Sequence, residues 1–140
     1  MANGMYEVLA LLPETSDFTL EAAVTFFRAV RYREGTLRAE LATSEHKQQP
    51  SGFRVWYGDW AVVAWLETGK GVLGESEEMS WGDDLPAPAE VIAACSRRLS
   101  VWSDEDLGCH RTNEFMFYTD DLRERFGAFI KDCVNGCWWT

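Results

Sequence analysis

Phe53-Arg54-Val55-Trp56-Tyr57-Gly58-Asp59-Trp60-Ala61-Val62-Val63-Ala64-Trp65-Leu66-Glu67 reads as two β-strands joined by a tight turn. Gly58 and Asp59 are residue types that tolerate the positive φ of a hairpin turn, and β-branched and aromatic residues flank them. A two-residue turn pairs Tyr57 with Trp60, Val55 with Val62, and Phe53 with Ala64. Side chains alternate across a strand. Phe53, Val55, Tyr57, Trp60, Val62, Ala64 and Leu66 then share one face, which has to be core. The opposite face shows Arg54, Trp56, Ala61, Val63, Trp65 and Glu67, apolar with charged ends. What covers that second face is the functional question.

Upstream, residues 5–12 are apolar except for Glu7 and stop at Pro13, a run short enough for a strand buried on both sides. Ser16 and Thr19 offer capping oxygens to a helix whose apolar face is Leu20, Ala23, Val24, Phe27 and Val30, with Gly35 expected to close it. Leu37, Ala39 and Leu41 alternate with Arg38, Glu40 and Ala42, a strand with one wet face. Residues 44–52 are a polar, turn-rich loop.

Downstream, residues 68–88 combine glycines and prolines with Glu75, Glu77, Glu78, Asp83 and Asp84, and read as a long loop anchored by Val72-Leu73 and Met79-Ser80-Trp81. Structureless loops of that length in compact domains are often functional. Pro88 opens a helix that carries Val91, Ile92 and Cys95 on one face and reaches Arg98. Residues 99–103 form a strand ending in Asp104-Glu105-Asp106, and residues 114–118 a further short strand. Thr119 or Asp120 caps a last helix in which Leu122, Phe126, Phe129, Ile130 and Cys133 recur at helical spacing up to Gly136. Trp138-Trp139 are expected to pack back on the sheet.

This order predicts a single α+β domain over residues 1–140, with a mainly antiparallel sheet and helices packed on one face. The arrangement expected is ferredoxin-like (split βαβ), with an added hairpin strand and a C-terminal helix.

With 46% apolar and 14% aromatic residues the chain is globular, and no apolar run approaches the ~20 residues of a membrane span. The net charge of −10 repels phosphate backbones, so neither nucleic acid nor membrane is an expected partner. The N-terminus has no basic stretch of the kind that starts a secretory leader, which predicts the cytoplasm, and the four cysteines of a cytosolic chain read as reduced thiols.

Four constellations carry chemistry. Cys109-His110, Cys133 and Cys137 are zinc-ligand types, but adjacent Cys109 and His110 chelate together poorly and Cys133 falls on the apolar stripe, so no metal and no cofactor is expected. Asp104, Asp106, Cys109 and His110 form an alternative polar site for a small enzyme or ligand binder, against which stands the plainer reading as a solvated acidic turn. Gly69-Lys70-Gly71 lacks the spacing of a phosphate loop. The fourth is a recognition surface of Trp56, Trp65 and Arg54 with Trp81, Asp83 and Asp84, because tryptophan buries much area at low entropic cost.

In size, acidity and lack of a catalytic signature the chain resembles small bacterial immunity or accessory proteins, a likeness of type that assigns no residue a role. The function expected is binding of another protein without catalysis. A basic partner would suit the acidic loop, and a second copy of the chain is the other expected partner.

Overall fold

In the computed structural model, which describes residues 5–140, the hairpin closes in the expected register. Gly58 takes φ 68°, and Tyr57 lies opposite Trp60, Val55 opposite Val62 and Phe53 opposite Ala64. In chain order the elements are β1 (Glu7–Leu12), α1 (Leu20–Arg28), β2 (Arg31–Tyr32), β3 (Gly35–Thr36), β4 (Arg38–Ala42), β5 (Gly52–Tyr57), β6 (Trp60–Thr68), α2 (Lys70–Met79), α3 (Ala89–Ala93), β7 (Arg97–Ser103), α4 (Thr112–Phe126), β8 (Phe129–Asp132) and β9 (Cys137–Trp139). Seven strands make one sheet in the order β4-β5-β6-β7-β1-β8-β9, while β2 and β3 form a separate ribbon.

The result is one compact α+β domain. A split βαβ unit keeps its two parallel strands one antiparallel strand apart. Here all six ladders of the sheet are antiparallel, and β1 and β4, joined through α1, have β5, β6 and β7 between them, so the ferredoxin-like arrangement is not confirmed.

The inner face of the sheet carries the main core. Val8, Ala10 and Leu12 of β1, Phe53, Val55 and Tyr57 of β5, and Val62 and Ala64 of β6 meet Ala23, Val24 and Phe27 of α1 and Phe115, Tyr118, Leu122 and Phe126 of α4. Aromatic rings interlock there: Phe27 stacks on Tyr118 at 5.1 Å and on Phe53 at 5.9 Å. Thr19 caps α1 as expected, its hydroxyl accepting the Ala22 N–H. The helix ends at Arg28 rather than at Gly35, which instead lies in β3.

Three further expectations are corrected. Helices do not stay on one face, because α3 and the end of α2 cover part of the outer face, where Leu11, Ile92 and Cys95 form a second cluster with Met79, Phe129 and Trp138. Nor are residues 68–88 loop throughout. α2 forms despite Gly71 and Gly74 because tertiary contacts hold it: Ser76 is buried with its hydroxyl donating to the Cys95 carbonyl at 2.7 Å, and Glu75 pairs with Arg98 at 3.2 Å. Helix propensity is a weak prior against such contacts. Likewise α3 stops at Ala93, before Arg98.

The end of the chain differs too. Phe115, Tyr118, Thr119, Leu122 and Phe126 are the buried stripe of one helix, so residues 114–118 are not a strand. Gly127 terminates α4 in the left-handed region at φ 71°, with its N–H on the Arg123 and Leu122 carbonyls. Phe129 and Ile130 belong to β8, and the chain closes on a strand, not on a C-terminal helix. Trp138 and Trp139 do return to the sheet through β9, and Trp139 meets Phe115 edge-on at 5.9 Å.

Among the described residues no helix is long and apolar enough to cross a membrane. The expectation of no secretory leader, read from residues 1–12, falls in part on residues 1–4, which lie outside the described residues.

Candidate functional site on the uncovered half of the outer sheet face

Cross-strand register lays out the outer face in rows. Arg38, Trp56 and Ala61 form one, and Glu40, Arg54, Val63, Trp102 and Glu7 the next. A third runs from Gly52 and Trp65 through Ser100 and Leu9 to Lys131 and Trp138, and a fourth is Glu67, Arg98, Leu11 and Phe129. The α2–α3 layer sits on the fourth row and the far end of the third. Among the described residues, none forms a layer over the first two rows or the Trp65–Ser100 stretch. Apolar side chains are therefore left at the surface: Trp56, Val63 and Trp65 are half-buried, and Trp102 is exposed.

The boundary between covered and open halves is electrostatic. The Arg98 side chain keeps only 10% of its exposure, and Glu67 at 2.8 Å and Glu75 at 3.2 Å hold its guanidinium. Burial alone lowers the pKa of that group, but the hydrogen bonds and charges of Glu67 and Glu75 outweigh it and raise the pKa above its ordinary value. This pairing ties α2 to β6 and β7 and fixes where the helical cover stops.

On the open half, Gly52 lets Trp65 lie flat. A Cβ at Gly52 would stand 2.6 Å from the Trp65 ring and collide with the Ala64 carbonyl oxygen. The missing side chain of one strand thus makes room for the indole of the next, as aromatic residues do beside strand glycines. Trp56 is framed by arginines: the Arg38 guanidinium stands 3.9 Å from its ring centre and that of Arg54 5.8 Å. Clefts open on both sides of it. One of about 250 Å³ lies between Arg54, Trp56, Val63 and Trp102, with Asp104 at its wall, and one of about 330 Å³ between Trp56, Arg38 and the β2–β3 turn.

Of the residues expected at a recognition surface, the structure brings Trp56, Trp65 and Arg54 together on this face. Trp81 is 73% exposed, and Asp83 and Asp84 are exposed beside it, but all three follow the end of α2 where Met79 rests on the Leu11 cluster. That cluster involves β1, β8 and β9; β1, the nearest of them, is three strands across the sheet from β5 and Trp56. The expected surface is two separate regions. Arg38 was missing from the expected site, although the alternation of Leu37, Ala39 and Leu41 already turns it outward.

The alternative polar site is built as a brace for the backbone. Asp104 accepts the Ala61 N–H at 2.9 Å, and its carbonyl accepts the Trp60 indole N–H at 3.1 Å. Asp106 accepts the His110 and Arg111 amides and the Tyr6 hydroxyl at 2.7–2.9 Å. Burial raises the pKa of that carboxyl, but the Tyr6 and backbone hydrogen bonds prevail and hold it below its ordinary value. Cys109 and His110 are exposed, Cys109 at φ 56°. Asp104 also lines the cleft beside Trp56 and Trp102, whereas the recess lined by Tyr6, Thr112, Phe115, Met116 and Trp139 is lined by none of Asp104, Asp106, Cys109 or His110.

Cys95 is the buried thiol, its pKa pushed up to about 11 by burial and then by Glu14. Cys133, expected in a helix, is exposed at the β8–β9 turn instead, and Cys137 is exposed at the start of β9. Among the described residues no three His, Cys, Asp or Glu side chains gather as a metal-binding group. No protein-family model, no curated protein and no solved structure matches this chain.

Proposed function

We propose that the chain is a non-catalytic, immunity- or accessory-type domain that binds another protein through the open half of the outer sheet face. The observation that carries this reading is the patch of partly exposed apolar side chains, Trp56, Val63, Trp65 and Trp102, on rigid central strands with no layer above them among the described residues. Exposed apolar patches rimmed by polar residues mark interaction sites, and tryptophan and arginine dominate interface energetics. Sheet residues lose little further freedom on binding, so the surface is pre-organised for a partner.

Site-specific photo-cross-linking tests the reading. A photoreactive side chain at Ser100, on the open face between Trp65 and Trp102, is expected to capture one defined chain in the cell of origin. The same group at Glu124, on exposed α4, is expected to capture none, and excess wild-type protein but not Trp56→Ala/Trp102→Ala protein to compete. Equal labelling from Ser100 and Glu124 would sink the proposal.

A further inference from the structure

The charge of the chain is unevenly divided. Residues 28–59 carry six Lys/Arg against four Asp/Glu, while the remaining residues carry seven against nineteen. A chain of net charge −10 therefore holds one segment of net charge +2. That segment supplies the β2–β3 ribbon and β4 and β5, the strands at one edge of the sheet that carry part of the open face.

Its arginines converge on Trp56. Arg38 stacks on the indole from β4, Arg54 flanks it on β5, and Arg33 lines the cleft on the other side. Arg38 spends its Nε on exposed Glu40. Among the described residues, neither Arg33 nor Arg54 has a carboxylate within ion-pair distance. The backbone at Arg33 adds an independent sign. This residue turns the β2–β3 ribbon with φ 54°, a left-handed conformation that glycine adopts at no steric cost. Strain kept at a position where the fold alone favours glycine points to a use for the side chain.

Resting on the protein-binding reading above, we propose that the partner presents an acidic segment, with aspartate or glutamate side chains interleaved with apolar ones. Its carboxylates pair with Arg33, Arg38 and Arg54, and its apolar residues enter the cleft between Trp56, Val63 and Trp102. Guanidinium forks match carboxylates in two-point geometry, and a guanidinium held on an aromatic ring is already oriented for it. The remaining surface, at net −12, repels any polyanion that extends beyond this patch. A short acidic protein segment suits the patch better than a nucleic-acid backbone does. The acidic α2 surface, with Glu77 and Glu78, lies on the same side of the sheet and opposes binding of the segment in a shifted register.

Nuclear magnetic resonance titration of the full chain tests this with defined probes. These are a short peptide alternating Asp/Glu with Leu and Phe, the same peptide with Lys in place of the acids, and an oligothymidylate of matching length. The Trp56 and Trp102 indole N–H and the Arg38 and Arg54 Nε–H signals are expected to move with the acidic peptide alone. The affinity is expected to drop about tenfold between low salt and about 0.3 M salt. Arg54→Glu weakens it about tenfold or more, Lys70→Glu on α2 leaves it unchanged, and Arg33→Gly weakens it without lowering stability. Tighter binding of the lysine peptide or the oligonucleotide, or no movement of these signals with the acidic peptide, overturns the acidic-partner inference. The protein-binding reading stands or falls separately, on the Ser100 cross-link.

Discussion

The two faces of one sheet divide stability from recognition. The inner face is covered by α1, α4 and Phe18 of the β1–α1 connection, and Phe53, Val55, Val62 and Ala64 there are fully buried. The outer face is built on the same strands, yet α2 and α3 cover it only along the row of Glu67, Arg98, Leu11 and Phe129 and over the β1–β8–β9 end of the row beside it. Its open half keeps Trp56, Trp65 and Trp102 at the surface, where burying them in this fold contributes part of what they can. A strand whose one side is core and other side is open lets a protein hold a binding surface rigid without taking residues from the core.

That division is broken most severely from the inside. Phe53→Ala removes a ring that meets Phe18, Phe27 and Tyr118, and is expected to cost about 3–5 kcal/mol by urea denaturation. Gly52→Ala acts on the outer side of the same strand. Its Cβ has to displace the Trp65 ring and the Ala64 carbonyl, so a loss of about 1–3 kcal/mol and a blue or red shift of tryptophan fluorescence are expected. No change in stability for Gly52→Ala would mean that Trp65 is not held flat on the strand.

Opposite in sign is Tyr118→Phe. Among the described residues the Tyr118 hydroxyl is buried without a hydrogen-bond partner, and so is that of Tyr57. Removing an unpaired buried hydroxyl is expected to raise stability by about 1 kcal/mol in the same assay.

Asp121, on α4, sharpens the comparison by pH. Burial, and then Glu124 and Asp120, raise its pKa from 3.8 to about 6. The folded state then holds this proton more tightly than the unfolded state. Its contribution to stability is full below about pH 4, falls as the pH rises towards 6, and is level above that. Asp121→Asn is expected to flatten this part of a melting-temperature profile, and a profile unchanged by the substitution would count against it.

The smallest expected effect lies on the open face. Trp56→Ala loses the stacking of Arg38 and is expected to cost about 0.5–1 kcal/mol of stability. Partner capture from the Ser100 cross-linker is nonetheless expected to disappear. A Trp56→Ala protein destabilised as much as Phe53→Ala would place Trp56 among the core residues.

How far the fold could be read in advance varied with the range of the interactions involved. The hairpin of residues 53–67 was legible to the single pair, because a two-residue turn and a period of two leave only one register that buries all the apolar positions. α4 was half legible. Its stripe from Phe115 to Phe126 continues smoothly into Phe129 and Ile130 at helical spacing, and only the left-handed turn at Gly127 converts the latter into a strand. α2 was not legible, since its buried face is Val72 and Ser76 rather than an apolar stripe, and its partners Cys95 and Arg98 lie about 20 residues away in the chain.

The candidate site divides in the same way. Trp56, Trp65 and Arg54 share a face by alternation within one hairpin, which local sequence determines. The cation stacking of Arg38 on Trp56 depends on β4 pairing with β5 across a long loop. The separation of Trp81, Asp83 and Asp84 from that face depends on how α2 crosses the sheet.

The sequence by itself determined which residues alternate, which helices carry a cap and a stripe, and that a second apolar face exists. Only the tertiary structure decided that this face is half covered, and where the cover ends. The reason is physical. Alternation and periodicity are set by the backbone over neighbouring residues, whereas the cover depends on buried pairings such as Arg98 with Glu67 and Glu75, whose members meet only once the sheet has formed.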